Sequence, residues 1–388
     1  MQLIDQILGG HVPVPVQETT GGPVPSLAAS MFDEIPSTLP LFRGQGTPIS
    51  ECRNDPKAIL ETLGIGWNPM KLPLLAQGTG GGFMPTPRFA LWKSGHGEDG
   101  YIDTCSDAYK PHRNVELVKM MTDFASELGL TIDHAGSPNG GIQLWASAEA
   151  KVQREVAKGD FVSLRLDMST SHMVGTATSI RASGYQLWCS NGATASRSIG
   201  AIRMTHQRSL EVRRLKADKL IGQVYKAFEA YIDRHAALYR LPASPSVRRL
   251  LFVHLFGTDE DWQSVCEHLA LARQEERRVG AQMIERILVC DEQGTASRIW
   301  AEVKPGRLLM EVAAATKTQP GQGTSKGTLA HAFNGISYWN SNLRGNARPA
   351  QAALSAIHGQ LRASTDHALD VLTQEYVPVM QEVYGRRG

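Results

Sequence analysis

Residues 160–190 read "DFVSLRLDMSTSHMVGTATSIRASGYQLWCS", and this stretch decides the fold. It contains two strand-like runs, 160–171 and 175–190, and a third run, "SIGAIRMTHQR", follows at 198–208. Because the connections between the runs are short, the pattern predicts an antiparallel meander. Residues 208–239 then carry apolar side chains at helical spacing, which predicts a long helix that stops before Pro242. The predicted core is therefore β-β-β-α.

The chain before this core predicts a helix over 114–128, with Asn114 as its N-cap, and strands at 70–75 and 88–95 around a glycine-rich loop. The chain after residue 245 is predominantly helical by pattern. We expect helices over 246–256, 259–290, 327–344 and 347–384, interrupted by a hairpin at 286–302 and by a flexible segment at 316–328.

These elements predict an α+β protein with an antiparallel β-meander followed by a long helix. The predicted domains are an extended arm rich in Pro and Gly at 1–50, an α+β core domain at 51–245, and a mainly helical C-terminal region at 246–388.

Composition excludes several classes of protein. The 388 residues include five widely spaced cysteines without a Cys-x-x-Cys pair, so neither a disulfide framework nor a zinc site is indicated. The twelve histidines show no metal-ligand spacing, and we expect no metal and no cofactor. Neither a signal peptide nor an 18-residue apolar run is present, which favours a cytoplasmic protein that does not enter a membrane.

Two glycine-rich loops are candidates for a phosphate cradle. Residues 78–83, "GTGGGF", have no following Lys or helix, and residues 321–328, "GQGTSKGT", have their Lys before the Gly. Both therefore fail the P-loop pattern, which makes nucleotide hydrolysis an unsupported interpretation. Either loop could still contact a phosphodiester backbone.

Cys189 raises the question of covalent catalysis. It stands directly before Ser190 and the Asn191-Gly192 pair, a strong signal for a hairpin turn, so closing a strand is the favoured interpretation. The alternative is a cysteine-dependent enzyme in which His172 or His206 acts as the base.

Charge is segregated along the chain. Residues 203–249 contain eleven basic and four acidic side chains, although the whole chain has a net charge of only +2. A basic stripe beside a sheet is typical of a phosphate track, and Phe228 and Tyr231 are among the aromatic residues that offer stacking faces. The predicted DNA-binding residues are Arg203, Arg208, Arg213, Arg214, Lys216, Lys219, Lys317 and Lys326.

Several stretches resemble a family of phage and plasmid-like bacterial proteins called domain of unknown function 932. The most specific is the central segment, where Ser171-His172, Arg181 and Cys189-Ser190-Asn191-Gly192 fit the family pattern. The likeness runs from about residue 55 to 345. Met173 replaces an Asp that is common in the family's turn, so no role of that Asp is carried over.

The resemblance implies a protein of a mobile element in the bacterial cytoplasm. In outline the β-β-β-α core is similar to Rad52-like single-strand annealing proteins. We therefore expect single-stranded DNA binding and annealing during recombination of a phage, plasmid or other mobile element, without a catalytic residue. The expected partners are single-stranded DNA and further copies of the chain in a ring or filament. A regulatory protein that binds a host factor is the remaining alternative.

Overall fold

The structure is a computed structural model that describes residues 46–186, 202–204, 210–274, 276–303, 306–319, 322–344, 355 and 360–387. All of these residues belong to one compact unit. The division predicted between residues 245 and 246 stays a prediction.

The described strands form two antiparallel sheets. The larger sheet has the order β1-β5-β6-β7-β8-β9, and the smaller one has the order β2-β3-β4. The strands are β1 (Thr47–Pro48), β2 (Pro69–Gln77), β3 (Phe83–Lys93), β4 (Tyr101–Ser106), β5 (Ile132–Gly136), β6 (Gln143–Ala157), β7 (Asp160–Ser171), β8 (Thr178–Gln186) and β9 (Ile202–Met204).

Two of the described α-helices precede β5, and the others follow β9. They are α1 (Pro56–Thr62), α2 (Asn114–Glu127), α3 (Leu210–Tyr239), α4 (Pro245–Phe256), α5 (Asp259–His268), α6 (Ala281–Glu292), α7 (Ala296–Glu302), α8 (Arg307–Thr318), α9 (Leu329–Tyr338), α10 (Gln360–Val371) and α11 (Val377–Arg387). Two π-helical turns, Trp339–Leu343 and Leu372–Tyr376, directly follow α9 and α10. No helix of the described ranges has the length and apolarity to cross a bilayer.

The predicted meander and its helix are confirmed. Strands β7, β8 and β9 pair in chain order, and α3 follows them. The pleat of β7 divides its side chains between two faces. Leu164, Leu166 and Met168 are buried on one of these faces, and α3 packs there because Tyr231 lies directly over Gly184 of β8.

The predicted hairpin at 286–302 is wrong, because this stretch forms α6 and α7. Ile284, Ile287 and Leu288 are buried at i, i+3 and i+4, the spacing of a helix face. Gly294 has φ +68° and ends α6, so the turn signal belongs to a helix–helix connection. The single helix predicted over 259–290 is likewise two helices, because α5 ends at His268.

Asn114 is not the N-cap of α2. Arg113 occupies that position with extended backbone, and Asn114 is the first helical residue. Its side chain points into the core, where Nδ2 donates to the carbonyl of Trp67 at 2.7 Å. The predicted stacking role of Phe228 and Tyr231 is also wrong, since each is 1% exposed within the core.

Gly184 tests the packing of α3 on the sheet. A Cβ at this position would lie 2.5 Å from Cε1 of Tyr231 and 3.1 Å from Cγ1 of Val162. We therefore expect Gly184→Ala to lower the free energy of unfolding by about 1–3 kcal/mol, measured by urea denaturation. Gly66→Ala meets no atom within 4 Å and serves as the matched control. Equal stability of the two variants would contradict the described packing.

His235 makes the folded protein less stable at acidic pH. Burial lowers the pKa of His235 to about 4, against a hydrogen bond to Asn334 that raises it. The unfolded chain therefore takes up this proton first, and stability falls as the pH decreases from about 6.5 to about 4. At pH 4.5 the loss is on the order of 2 kcal/mol.

We expect His235→Gln to flatten the dependence of unfolding free energy on pH within this window. Part of the slope remains in the variant, because burial also lowers the pKa of His254 to about 4. Exposed His96→Gln should leave the full slope. An unchanged slope in His235→Gln would show that this histidine is not buried in its neutral form.

Candidate functional site

Two of the predicted DNA-binding residues have described side chains, and both are exposed. Lys317 lies in the last turn of α8, and Lys326 directly follows the 3-10 turn Gly323–Ser325. Arg203 belongs to β9, where it stands opposite Ser179 in the register. The side chains of six predicted residues lie outside the described part. They are Arg203 on β9, Arg208, which falls between described ranges, and Arg213, Arg214, Lys216 and Lys219 on α3.

The described residues of the connection between α8 and α9 are packed, in contrast to the predicted flexible segment. Gln319 is 3% exposed, and its side-chain amide nitrogen, Nε2, donates to the carbonyls of Thr316 and His331. Gln322 Nε2 donates to the carbonyl of Lys317 at 2.7 Å, and the hydroxyl of fully buried Ser325 donates to the carbonyl of Gln322. The described backbone around Lys317 and Lys326 is therefore held by side-chain hydrogen bonds.

Three other segments of the chain are fastened to this connection. Thr324 Oγ1 donates to Asp160 Oδ2 at 2.6 Å, which holds the turn between β6 and β7 against it. The amide of Ala243 donates to the carbonyl of Gly327 at 2.7 Å, and the amide of Leu329 donates to the carbonyl of Leu241. The linker between α3 and α4 is therefore a neighbour of the same connection.

Five basic residues lie on the segments that these contacts join, and we call them the loop patch. Lys158 lies at the turn between β6 and β7, and Arg240 follows the end of α3. Arg248 of α4 donates from Nη1 to the carbonyl of Ala243 at 2.7 Å. The members of the loop patch are Lys158, Arg240, Arg248, Lys317 and Lys326.

The members of the loop patch share with several other basic side chains, such as Lys57 and Lys110, the lack of an acidic partner among the described residues. No member forms an ion pair with any residue in the described ranges. By contrast, Arg234 pairs with Asp370 at 2.5 Å and Arg154 pairs with Glu229 at 2.8 Å. The loop patch is therefore a concentration of positive charge available to an external anion.

The positive charge of the loop patch affects the pKa of His331, a buried residue at the start of α9. Burial lowers the pKa of His331, and the charges of Arg248 and Lys326 lower it further. These two cations therefore act on the same place, although they come from α4 and from the α8–α9 connection. Burial also lowers the pKa of Arg248 itself.

A second polar cluster lies on the face of the large sheet opposite to its apolar face. Cross-strand pairing places Ser147, Asp167 and Arg181 in one row, and Glu149, Arg165 and Ser183 in the next. We call this surface the polar sheet face. Asp167 is 0% exposed and accepts hydrogen bonds from the hydroxyls of Ser147 and Ser183.

Arg165 is linked to the carboxylate of Asp167 through the hydroxyl of Ser147. Arg165 donates from Nε to the hydroxyl of Ser147, and its Nη atoms reach Glu149 and Asp133. Burial would raise the pKa of Asp133, but hydrogen bonds from His134 and Arg165 outweigh it, so the pKa lies below its usual value. Arg165 is therefore neutralised within the fold.

Helix α10 connects to the same cluster. Arg362 is 2% exposed; its Nη1 donates to the hydroxyl of Ser183 at 3.0 Å, and its Nε donates to Asp366 at 3.1 Å. Asp167, Arg165 and Arg362 were not among the predicted site residues. The signal for β7 was in the sequence, because Ser163, Arg165, Asp167 and Ser169 alternate with apolar residues.

His172, the candidate base of the cysteine hypothesis, lies in the core of the fold beside Asn114 and Trp67. It is 0% exposed, its Nε2 lies 2.6 Å from Oδ1 of Asn114, and its ring packs on Trp67. Cys189 and His206 lie outside the described residues. Within those residues no group of three or more His, Cys, Asp or Glu side chains has the arrangement of a metal site.

The Arg362–Asp366 pair gives a test of the polar sheet face. Arg362→Met leaves the carboxylate of Asp366 buried without its arginine, so we expect the unfolding free energy to fall by about 3–5 kcal/mol. The double variant Arg362→Met/Asp366→Leu should recover much of this loss, because both charges are removed. The exposed pair Arg307–Glu311, varied in the same way, should change stability by less than about 1 kcal/mol. A similar small effect at both pairs would contradict the buried connection between α10 and the sheet.

No curated protein and no solved structure matches the chain. A family model matches residues 102–356, which is more than half of the chain and confirms the likeness expected from the sequence. The matched range contains strands β6 to β9 and every member of the loop patch, whereas Arg362 lies beyond it. The chain therefore belongs to the family described as Domain of unknown function (DUF932).

Proposed function

We propose that the protein binds single-stranded DNA and promotes its annealing during recombination of a phage, plasmid or other mobile element. The observation that carries this proposal is the loop patch. Five basic residues lie there on adjoining segments, and none pairs with an acidic residue in the described ranges. Such a site suits a chain of phosphates, because it offers several positive charges over an extended surface.

The proposed mechanism is electrostatic and has no covalent step. Lys158, Lys317 and Lys326 present ammonium groups that contact phosphate oxygens without selecting a sequence. Binding then releases the counterions of the strand, which supplies affinity that declines with salt. Contacts limited to the backbone leave the base edges free to pair with a complementary strand.

The polar sheet face is not the main phosphate track in this proposal. Arg165 is engaged by Asp133 and Glu149, and Arg362 is engaged by Asp366. Replacing these partners with phosphates would break buried ion pairs. The loop patch requires no such exchange, which is why we place the first contact there.

The track continues, in this proposal, along Arg203, Arg208, Arg213, Arg214, Lys216 and Lys219. Arg203 belongs to β9, and the last four belong to α3, the helix that ends at Tyr239 beside Arg240 of the loop patch. In this proposal, the order of meander and long helix is taken as similar in outline to that of Rad52-like annealing proteins. This outline supports the further proposal that copies of the chain join into a ring or filament along the strand.

The test is an anisotropy titration of a labelled single-stranded oligonucleotide at several salt concentrations. We expect Lys317→Gln/Lys326→Gln to weaken binding at least tenfold. The slope of log affinity against log salt should become shallower by about 1.4, because each lost phosphate contact contributes about 0.7. The matched control is Lys57→Gln/Lys110→Gln, which removes the same charge from exposed positions near α1 and α2.

The two double variants must differ for the loop patch to be the binding surface. Equal effects would mean that net charge alone controls affinity and would contradict the assignment. Failure of the wild-type chain to bind the oligonucleotide at low salt would overturn the function itself. Acceleration of strand pairing by wild type, lost in the loop-patch variant, would then establish annealing.

A further inference from the structure

The small sheet carries a group of exposed apolar side chains. Ten large apolar side chains are exposed in the described part of the chain, and five of them lie on β2, β3 and β4. Such side chains are ordinary when they are scattered singly, but a contiguous group marks an interaction surface. The hairpin that β2 and β3 form is therefore a candidate interface.

The end of this hairpin extends beyond the third strand of the small sheet. β4 pairs with β3 only from Arg88 to Trp92. Among the described strands, Phe83, Met84 and Pro85 pair with β2 alone. A hairpin of two strands is only marginally stable in water unless a third strand or a packed face supports it. The end of the β2–β3 hairpin therefore needs a surface to pack against.

One side of the hairpin end is apolar and exposed. The register pairs Leu75 with Pro85, so both side chains point to the same side. Because side chains alternate along a strand, Phe83 of β3 and Pro73 of β2 point to this side as well. Leu75 is 54% exposed and Phe83 is 68% exposed, and both prolines are exposed. We call Pro73, Leu75, Phe83 and Pro85 the hairpin face.

The composition of the hairpin end favours an uncharged partner surface. No charged residue occurs from Leu72 to Pro87 in the sequence, so a phosphate or a charged peptide finds no ion-pair partner on this segment. The same face on a second copy of the chain is apolar too, and its approach brings no like charges together. A two-fold axis, the commonest symmetry of protein oligomers, places the same face of two chains opposite each other.

The area of the hairpin face agrees with a weak dimer. Its four side chains expose on the order of 350 Å², and two copies together would cover about 700 Å². The backbone and the neighbouring side chains bring the total close to the roughly 1,000 Å² of a specific interface. This area is at the lower end of the range for protein interfaces, so the expected dissociation constant is micromolar.

We propose that two copies of the chain associate through their hairpin faces, with Leu75 and Phe83 of one copy packed against the same residues of the other across a two-fold axis. The contact supplies the packed face that the hairpin end needs. It gives a surface to the joining of copies in the proposed function, but it requires no DNA. Because a two-fold contact closes on itself, a ring or filament would need a second contact in addition.

The matched variants are Phe83→Lys and Met84→Lys. Both residues are exposed to a similar extent and both variants add one positive charge, but Met84 pairs with Ala76 and points to the other side of the hairpin. We expect Phe83→Lys to raise the dissociation constant of the dimer at least about thirtyfold, the effect of losing a central interface side chain. Met84→Lys should change it by less than about threefold. Analytical ultracentrifugation over a range of protein concentrations measures both constants.

Salt provides a second readout that needs no variant. An apolar interface keeps its affinity at high ionic strength, whereas contacts between exposed charges weaken. We expect the wild-type dimer to persist in about 0.5 M NaCl. A dimer that dissociates under these conditions would overturn the proposal, even if Phe83→Lys failed to fold. A wild type that stays monomeric at about 100 µM, or equal dissociation constants of the two lysine variants, would overturn it as well.

The interface and the proposed function fail separately. If wild type forms the dimer but binds no oligonucleotide, the function is overturned and the interface stands. If wild type binds the oligonucleotide as a monomer, the interface is excluded and the function of the loop patch remains. If Phe83→Lys is a folded monomer that still binds a short oligonucleotide, while Met84→Lys stays dimeric, both proposals are supported.

Discussion

The buried carboxylate of Asp167 is the interaction on which the large sheet depends. Two serine hydroxyls hold it, one from β6 and one from β8, so a single side chain of β7 joins three strands on their polar face. Through these serines it is also linked to Arg165 and Arg362. Because a buried charge is tolerated only with such partners, the sheet and α10 are constrained to one arrangement.

The basic side chains of the molecule are of two kinds, those with a carboxylate partner inside the fold and those without one. Arginines inside the fold, such as Arg165 and Arg362, have carboxylate partners and serve the architecture. In the loop patch, by contrast, the segments are joined by backbone and hydroxyl groups, such as Thr324 on Asp160, and four of the five basic residues, all except Arg248, are exposed to solvent. A formal net charge of +2 for the whole chain conceals this division.

Sequence patterns predicted the meander and the long helix, since the period of the apolar residues and the local composition determine these features. They did not predict the loop patch, because Lys158 and Lys326 are far apart in the chain and their segments are joined only by tertiary contacts such as that of Thr324 with Asp160. The alternation of polar residues in β7 can be seen in the sequence. The sequence does not show that Arg362 of α10, almost two hundred residues further along the chain, bonds to the same polar cluster. Residues 286–302 were misread because β-branched residues and a glycine turn suit a hairpin as well as two short helices.

The packing of the α8–α9 connection has a consequence for the thermodynamics of any ligand bound there. Gln319, Gln322 and Ser325 already fix the described backbone between the two lysines. A ligand therefore has little main-chain conformational entropy to remove, and the ordering that remains concerns the lysine side chains themselves. The surface is preorganised, and its discrimination between ligands rests on the spacing of their charges rather than on induced folding.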